Sequence, residues 1–121
     1  MKYIIIFVIL ILTSCSFKSK ELSTKNYRIM LNSDKAYEVC IAAFHLGERK
    51  DTVSVRDLLS NLADPRITHH LRQKGMSVYY CKAGALRKIS GLEIDIKQHE
   101  LPDSLVIKTF TNWALENELL R

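Results

Sequence analysis

Apolar residues fall along this chain in three patterns, and each predicts a different element. The first is an unbroken run of nine apolar residues, Ile4 to Leu12, behind Lys2 and ahead of Thr13-Ser14. The second is helical spacing. Tyr37, Cys40, Ile41 and Phe44 stand at i, i+3, i+4 and i+7, one helical face, with N-cap residues ahead at Asn32-Ser33-Asp34 and a stop behind at Gly47. Val55, Leu58, Leu59 and Leu62 repeat that spacing after Ser54, which fits a capping box with Asp57. Asp64-Pro65 reads as a fresh N-cap with proline at the first helical position, opening a short helix with Ile67 and Leu71 that ends at Gly75. The third pattern is alternation. Leu92-Glu93-Ile94-Asp95-Ile96-Lys97 sets three aliphatics against three charges, as in a strand with one wet face. Residues 26–31, 76–81 and 105–110 are rich in β-formers and read as strands, the last reached through a loop at 98–103. Thr111 or Asn112 then caps a final helix holding Trp113, Leu115, Leu119 and Leu120, with Arg121 at its negative end. The expected class is α+β: N-terminal helices, a small antiparallel sheet, and a C-terminal helix packed on it.

The run at 4–12 changes the picture of where the protein sits. A membrane-spanning helix needs about 20 apolar residues. A nine-residue run behind a lysine has instead the form of a signal-peptide core. The residues that follow, Leu12-Thr13-Ser14-Cys15, resemble the lipobox of bacterial lipoproteins: a large apolar residue, two small ones, then cysteine. That resemblance implies that residues 1–14 are removed and that the Cys15 thiol carries diacylglycerol, with the new amine acylated as well. One acyl chain holds only marginally, at about 0.8 kcal/mol per buried methylene, whereas two or three make attachment effectively permanent. Ser16, in place of the aspartate that favours inner-membrane retention, resembles the outer-membrane class of a Gram-negative host. The expected organisation is a signal over 1–14, a lipidated cysteine and flexible tether over 15–25, and a single small domain over 26–121. The expected location is the periplasmic side of the outer membrane.

Of the 121 residues, 107 remain after the signal, enough for one modest core. The net charge of the whole chain is +5. The signal takes Lys2 and no acid with it, leaving +4. The basic residues are scattered rather than blocked, so no nucleic-acid partner is expected; the membrane lipid around Cys15 is.

With Cys15 committed to lipid, Cys40 and Cys81 form a pair in an oxidising compartment, and a disulfide between them is expected. If Met76, Val78 and Tyr80 face the core of a strand, Cys81 faces away. The bond then needs a helix over that other face or a bulge; otherwise both thiols are free.

Residues that carry chemistry are sparse. Adjacent His69 and His70 on a helix point about 100° apart, and neither they nor His45 and His99 stand at metal-ligand spacing, so no metal is expected. There is no nucleophile elbow and no phosphate loop. Glu93 and Asp95 lie on the wet side of the alternating segment, where a general acid would lack the burial that tunes it. The expectation is a non-enzyme with no cofactor beyond the lipid and no small-molecule substrate. Tyr79, Tyr80 and Trp113, with Arg87 and Lys88 nearby, are the candidate contacts for a protein partner, since aromatics and arginine anchor interfaces.

Residues 53–62 (Val-Ser-Val-Arg-Asp-Leu-Leu-Ser-Asn-Leu), 75–80 (Gly-Met-Ser-Val-Tyr-Tyr) and 89–92 (Ile-Ser-Gly-Leu) together resemble the strand–helix–strand rhythm of secretin and TonB-receptor N-terminal domains. The likeness covers about 50 residues without an invariant motif. It departs from the family in the extra residues 64–74 and at 105–110, read here as a strand where the family has a helix. It implies an assembly module of a secretion, pilus or conjugation machine, with an outer-membrane or periplasmic protein as partner. A phage- or plasmid-encoded exclusion lipoprotein that blocks an outer-membrane receptor is the first alternative. A periplasmic inhibitor or immunity protein with a projecting loop at 82–88 or 98–103 is the second.

Overall fold

The computed structural model describes residues 21–70, 74–98 and 101–121, and over these the chain is helical: α1 (Thr24–Met30), α2 (Ala36–Glu48), a 3-10 turn (Thr52–Ser54), α3 (Val55–Leu59), α4 (Val78–Ser90) and α5 (Ser104–Glu116). The expected antiparallel sheet is absent from the described residues. One isolated bridge, Ile67 with Ser77, is the only β-pairing among them. The fold is therefore not α+β, and each expected strand has a distinct reason for its loss.

Residues 26–31 lie mostly in α1, capped by the Ser23 hydroxyl, which accepts from the Asn26 N–H. Residues 76–81 hold the start of α4, not a strand. The Ser77 hydroxyl accepts from the Tyr80 N–H. The carbonyls of Arg66 and Asp64 accept from the Val78 and Tyr79 N–H groups at 2.8 and 3.0 Å. A helix leaves its first N–H groups without intrahelical acceptors, and here the segment around Pro65 supplies them. That segment is thus a cap for α4 and not the short helix expected after Asp64; Leu71 of that expectation lies outside the described residues. Residues 105–110 belong to α5. Its cap is Asp103, whose carboxylate accepts from the Leu105 N–H at 2.8 Å, and its buried face is Val106, Phe110 and Ala114, at i, i+4 and i+8. Burial at helical period outweighs the β-propensity of Val106, Ile107 and Thr109.

The alternating segment 92–97 is extended but has no ladder partner. Its sidedness holds: Ile96 is buried, Leu92 and Ile94 pack on the core, and Glu93, Asp95 and Lys97 are exposed. The apolar side lies on helices instead of completing a sheet. Gly91, in the left-handed region at φ 73°, ends α4 and turns the chain into this segment. The strand–helix–strand rhythm of the secretin-like resemblance falls with the sheet, because 78–80 and 89–90 both lie inside α4.

The centre of the fold is the pair α2–α4. Cys40 meets Cys81, Gly47 meets Ala85, and Glu48 meets Lys88. These contacts advance together along both sequences, so the two helices run parallel, joined by the crossover that contains α3. Their close approach depends on Gly47, where a Cβ would stand 2.9 Å from the Ala85 Cα. The core face of α2 is Val39, Ala42, Ala43 and Leu46. The expected face at Tyr37, Cys40, Ile41 and Phe44 has the same spacing but is rotated off the core: only Cys40 of the four is buried and Phe44 is exposed. Small residues at 42, 43 and 47 let α4 come close, and the larger apolar face points beside the contact. Val78, Tyr79, Ala83 and Leu86 of α4, Val55 and Leu58 of α3 and Phe110 of α5 complete the core.

Two polar ties fix the periphery. Arg28 of α1 makes a two-pronged contact with Asp51, both bonds at 2.7 Å, and this holds the Asp51 carboxyl below the usual carboxylate range. Lys82 of α4 is 5% exposed and donates to the Ser60 carbonyl at 2.9 Å. Burial lowers its pKa, against the attraction of Asp64.

Candidate interaction groove

The rotated face of α2 borders a concavity. Between α2 and α4, on the side away from α3 and α5 packing, lies a groove of about 760 Å³. Ile41 and Phe44 form one wall and Tyr80 and Gly84 the other, with Met76 and Ile96 at one end. A Cβ at Gly84 would meet nothing within 4 Å, so the groove stays open where α4 carries no side chain. The Cys40–Cys81 pair also lines it, with Cα atoms 5.2 Å apart in disulfide geometry. The concern that Cys81 would face away from Cys40 belonged to a strand. In a helix Cys81 stands beside the buried Tyr79–Lys82 face and reaches α2 directly.

The rim is charged. Phe44 is 56% exposed, and the Lys88 ammonium sits 4.6 Å from its ring centre, a cation–π contact. Lys88 also pairs with Glu48, and that hydrogen bond holds the Glu48 carboxyl below its ordinary range. Arg87 stands next to Lys88. Both also border a second, shallower hollow of about 590 Å³ against Gly91–Asp95, so the two cations form the ridge between the concavities. At the other end His45 stacks on Tyr27 with ring centres 4.4 Å apart. Arg49 covers the far side of the Tyr27 ring at 4.9 Å.

Arg49 also fixes where the chain enters the domain. Its guanidinium donates to the Leu22 carbonyl at 2.9 Å and the Thr24 hydroxyl at 2.9 Å, and pairs with Glu21 at 3.4 Å. Glu21 is itself part of the groove lining. The tether expected over 15–25 is therefore pinned from Glu21 onward, and α1 begins at Thr24.

The expected contact residues divide. Tyr80 lines the groove and Arg87 and Lys88 form its rim. Tyr79 is fully buried and belongs to the core instead. Trp113 is half-buried on α5, outside the groove, and packs against the core, while Leu115 of the same helix is exposed. Cys15 lies outside the described residues. The segment 82–88, expected as a projecting loop, is the middle of α4, and part of 98–103 lies outside the described residues. Among the described residues no group of three or more histidine, cysteine or carboxylate side chains is placed to hold a metal ion. No described helix is long and apolar enough to cross a membrane.

Ile41 and Phe44 were read from sequence only as part of a helical face, and Gly84 was given no role. The available signal was that α2 carries two apolar faces at the same spacing, one small-residued and one large; a small-residued face suits close helix contact, which leaves the larger face to line something else. Chemically, the groove suits an apolar group laid against Phe44 and the sulfur pair, with an anionic end near the Arg87–Lys88 ridge. No protein-family model matches the chain, and no curated protein or solved structure matches it.

Proposed function

We propose that this chain is a lipid-anchored, non-enzymatic binding module on the periplasmic side of the outer membrane, serving an envelope machine such as a secretion, pilus or conjugation apparatus. The observation that supports the membrane-surface part of this reading is the small number of residues between anchor and domain. The lipobox cysteine, Cys15, precedes Glu21 by six residues, and Glu21 is held to α2 through Arg49. An extended chain of that length spans about 20 Å. A domain so tethered stays at the membrane surface, where its effective concentration towards a membrane-embedded partner is high and modest affinity suffices.

The test is a pull-down. Tagged protein is extracted from outer membranes in mild detergent and the co-purifying proteins are identified by mass spectrometry. A secretin or pilus subunit at near-equal amounts is the expected result. A phage or conjugation receptor in its place transfers the reading to exclusion, and a soluble toxin or hydrolase transfers it to inhibition. In the same assay Cys15→Ala abolishes both membrane association and partner recovery; full activity from a soluble, exported Cys15→Ala form contradicts the role of the anchor.

A further inference from the structure

We propose that the α2–α4 groove is a membrane-docking surface whose occupant is anionic phospholipid of the leaflet that holds the anchor. The proposal rests on the lipoprotein reading for the position of the anchor and goes beyond it in assigning a face of the domain to the lipid.

Three independent observations converge on that face. The first is chain geometry. The described chain begins at Glu21, on the groove lining, and Arg49 locks residues 21–24 in place. With at most about 20 Å of chain between Cys15 and Glu21, the groove end nearest Glu21 stays within reach of the bilayer. The second is apolar exposure. Phe44 is 56% exposed on the wall, and Gly84 opposite leaves the floor uncovered. An exposed aromatic ring at the edge of an open apolar groove suits the boundary between headgroups and acyl chains, where amphipathic surfaces bury their apolar side by about 5–10 Å. The third is charge. Arg87 and Lys88 stand on the ridge beside that ring. Glu21 and Glu48 are each paired with a cation, Arg49 and Lys88, and Glu93 and Asp95 border the hollow beyond the ridge, so on the groove side Arg87 is the cation with no ion pair among the described residues. A cation beside an apolar wedge fits a phosphate headgroup over acyl chains. Docked this way, α5 with Trp113 and Leu115 remains outside the lipid contact, available to the protein partner.

The experiment uses the mature protein purified from membranes and reconstituted into vesicles. Intact mass is read first, so the presence of the anchor is known independently of what the groove does. In a Trp113→Phe background, Phe44→Trp reports from the groove wall and Leu115→Trp reports from α5. Both positions are exposed, and far-UV circular dichroism checks that each variant keeps its helices. Vesicles are phosphatidylcholine with or without phosphatidylglycerol, and a brominated phosphatidylcholine serves as quencher. The expected result is a blue-shifted, strongly quenched signal from Phe44→Trp, larger with phosphatidylglycerol, and an unquenched signal from Leu115→Trp. Arg87→Gln and Lys88→Gln each lower the docked-to-free ratio about five-fold. Equal quenching of the two reporters, or none at Phe44→Trp in protein whose mass shows the lipid, overturns the docking surface and leaves the anchor intact. Protection of Phe44→Trp only when a co-purified protein is added assigns the groove to that protein and also overturns the proposal. If the mass shows no lipid, quenching of Phe44→Trp in protein floated with the vesicles supports the groove as a lipid surface without the anchor, and no quenching overturns it.

Discussion

Replacing Gly47 and Gly84 with alanine, one at a time, separates two effects that act on the same kind of residue. Both glycines lie inside 13-residue helices, α2 and α4. In an open helix interior, Gly→Ala gains about 0.8–1.0 kcal/mol from backbone entropy. At Gly84 nothing lies within 4 Å of the new methyl group, so the whole gain is expressed. At Gly47 the methyl stands 2.9 Å from the Ala85 Cα, 3.2 Å from the Ala85 Cβ and 3.4 Å from the Lys88 Cδ. The lysine stem can swing aside, but the Ala85 backbone belongs to α4 and moves only if the helices part. Forcing a methyl into a packed contact costs about 1–3 kcal/mol, which offsets the propensity gain and exceeds it over most of that range. The two variants therefore differ by roughly 1–3 kcal/mol, with Gly84→Ala above the parent and Gly47→Ala at or below it. Urea unfolding followed by circular dichroism measures the difference, and each kilocalorie moves the melting temperature of a domain this size by about 4–8 °C. If Gly47→Ala proves as stabilising as Gly84→Ala, the close parallel contact of α2 and α4 is wrong, and with it the shape of the groove.

Further outcomes follow from the core, the cysteines and the ion pairs. Phe110→Ala empties the fully buried centre of α5 and costs about 3–5 kcal/mol, measured by the same unfolding; a loss under 1 kcal/mol contradicts the placement of α5. Replacing Cys40 and Cys81 together by alanine releases a link across 41 positions of sequence, which the chain-entropy model values at about 4 kcal/mol; equal stability of the variant and the oxidised parent shows that the bond contributes nothing. The Asp51 carboxyl is held low chiefly by its hydrogen bond from Arg28. Burial opposes the corresponding shift at Asp64, yet the hydrogen bonds from Arg66 outweigh it and leave that carboxyl low too. Groups with depressed folded-state pKa values contribute stability above the unfolded value, about 3.9 for aspartate, and lose it as pH falls through the folded one. Stability falls steadily below about pH 4, and Asp51→Asn flattens that fall; an unchanged acid limb in the variant shows that the Arg28–Asp51 pair contributes nothing to it.

Of the five helices among the described residues, α2, α3 and the C-terminal end of α5 were legible, and the reasons for the misses are physical. α2 and α3 were read from spacing and flanking cap signals, because apolar residues at i, i+3, i+4 and i+7 fit one helical face. The orientation of α2 was not, because Val39-Ala42-Ala43-Leu46 and Tyr37-Cys40-Ile41-Phe44 have equal spacing, and only the approach of α4 to Gly47 decides between them. α4 was missed because Val78-Tyr79-Tyr80 is a β-rich run, while its helical character rests on a cap at Ser77 and on backbone acceptors from residues 64 and 66, distant in sequence order from its core. α5 was begun too late for a similar reason: Asp103 after Pro102 is a sound N-cap, but the β-branched residues behind it dominated a short window. The segment 92–97 shows what alternation reports, which is one wet and one dry side, not a hydrogen-bonded neighbour. In the groove, Tyr80, Arg87 and Lys88 were singled out as surface chemistry, whereas Phe44 and Gly84 gain meaning only from the helix contact that exposes them.

The lipid anchor proposed on Cys15 is tested most directly by the mass of the N-terminal tryptic peptide from protein purified out of the membrane fraction. The expected peptide is Cys15-Ser16-Phe17-Lys18 carrying diacylglycerol on the thiol, with or without an acyl group on the amine. An unmodified peptide from that cysteine, or a chain that retains Met1, would contradict it.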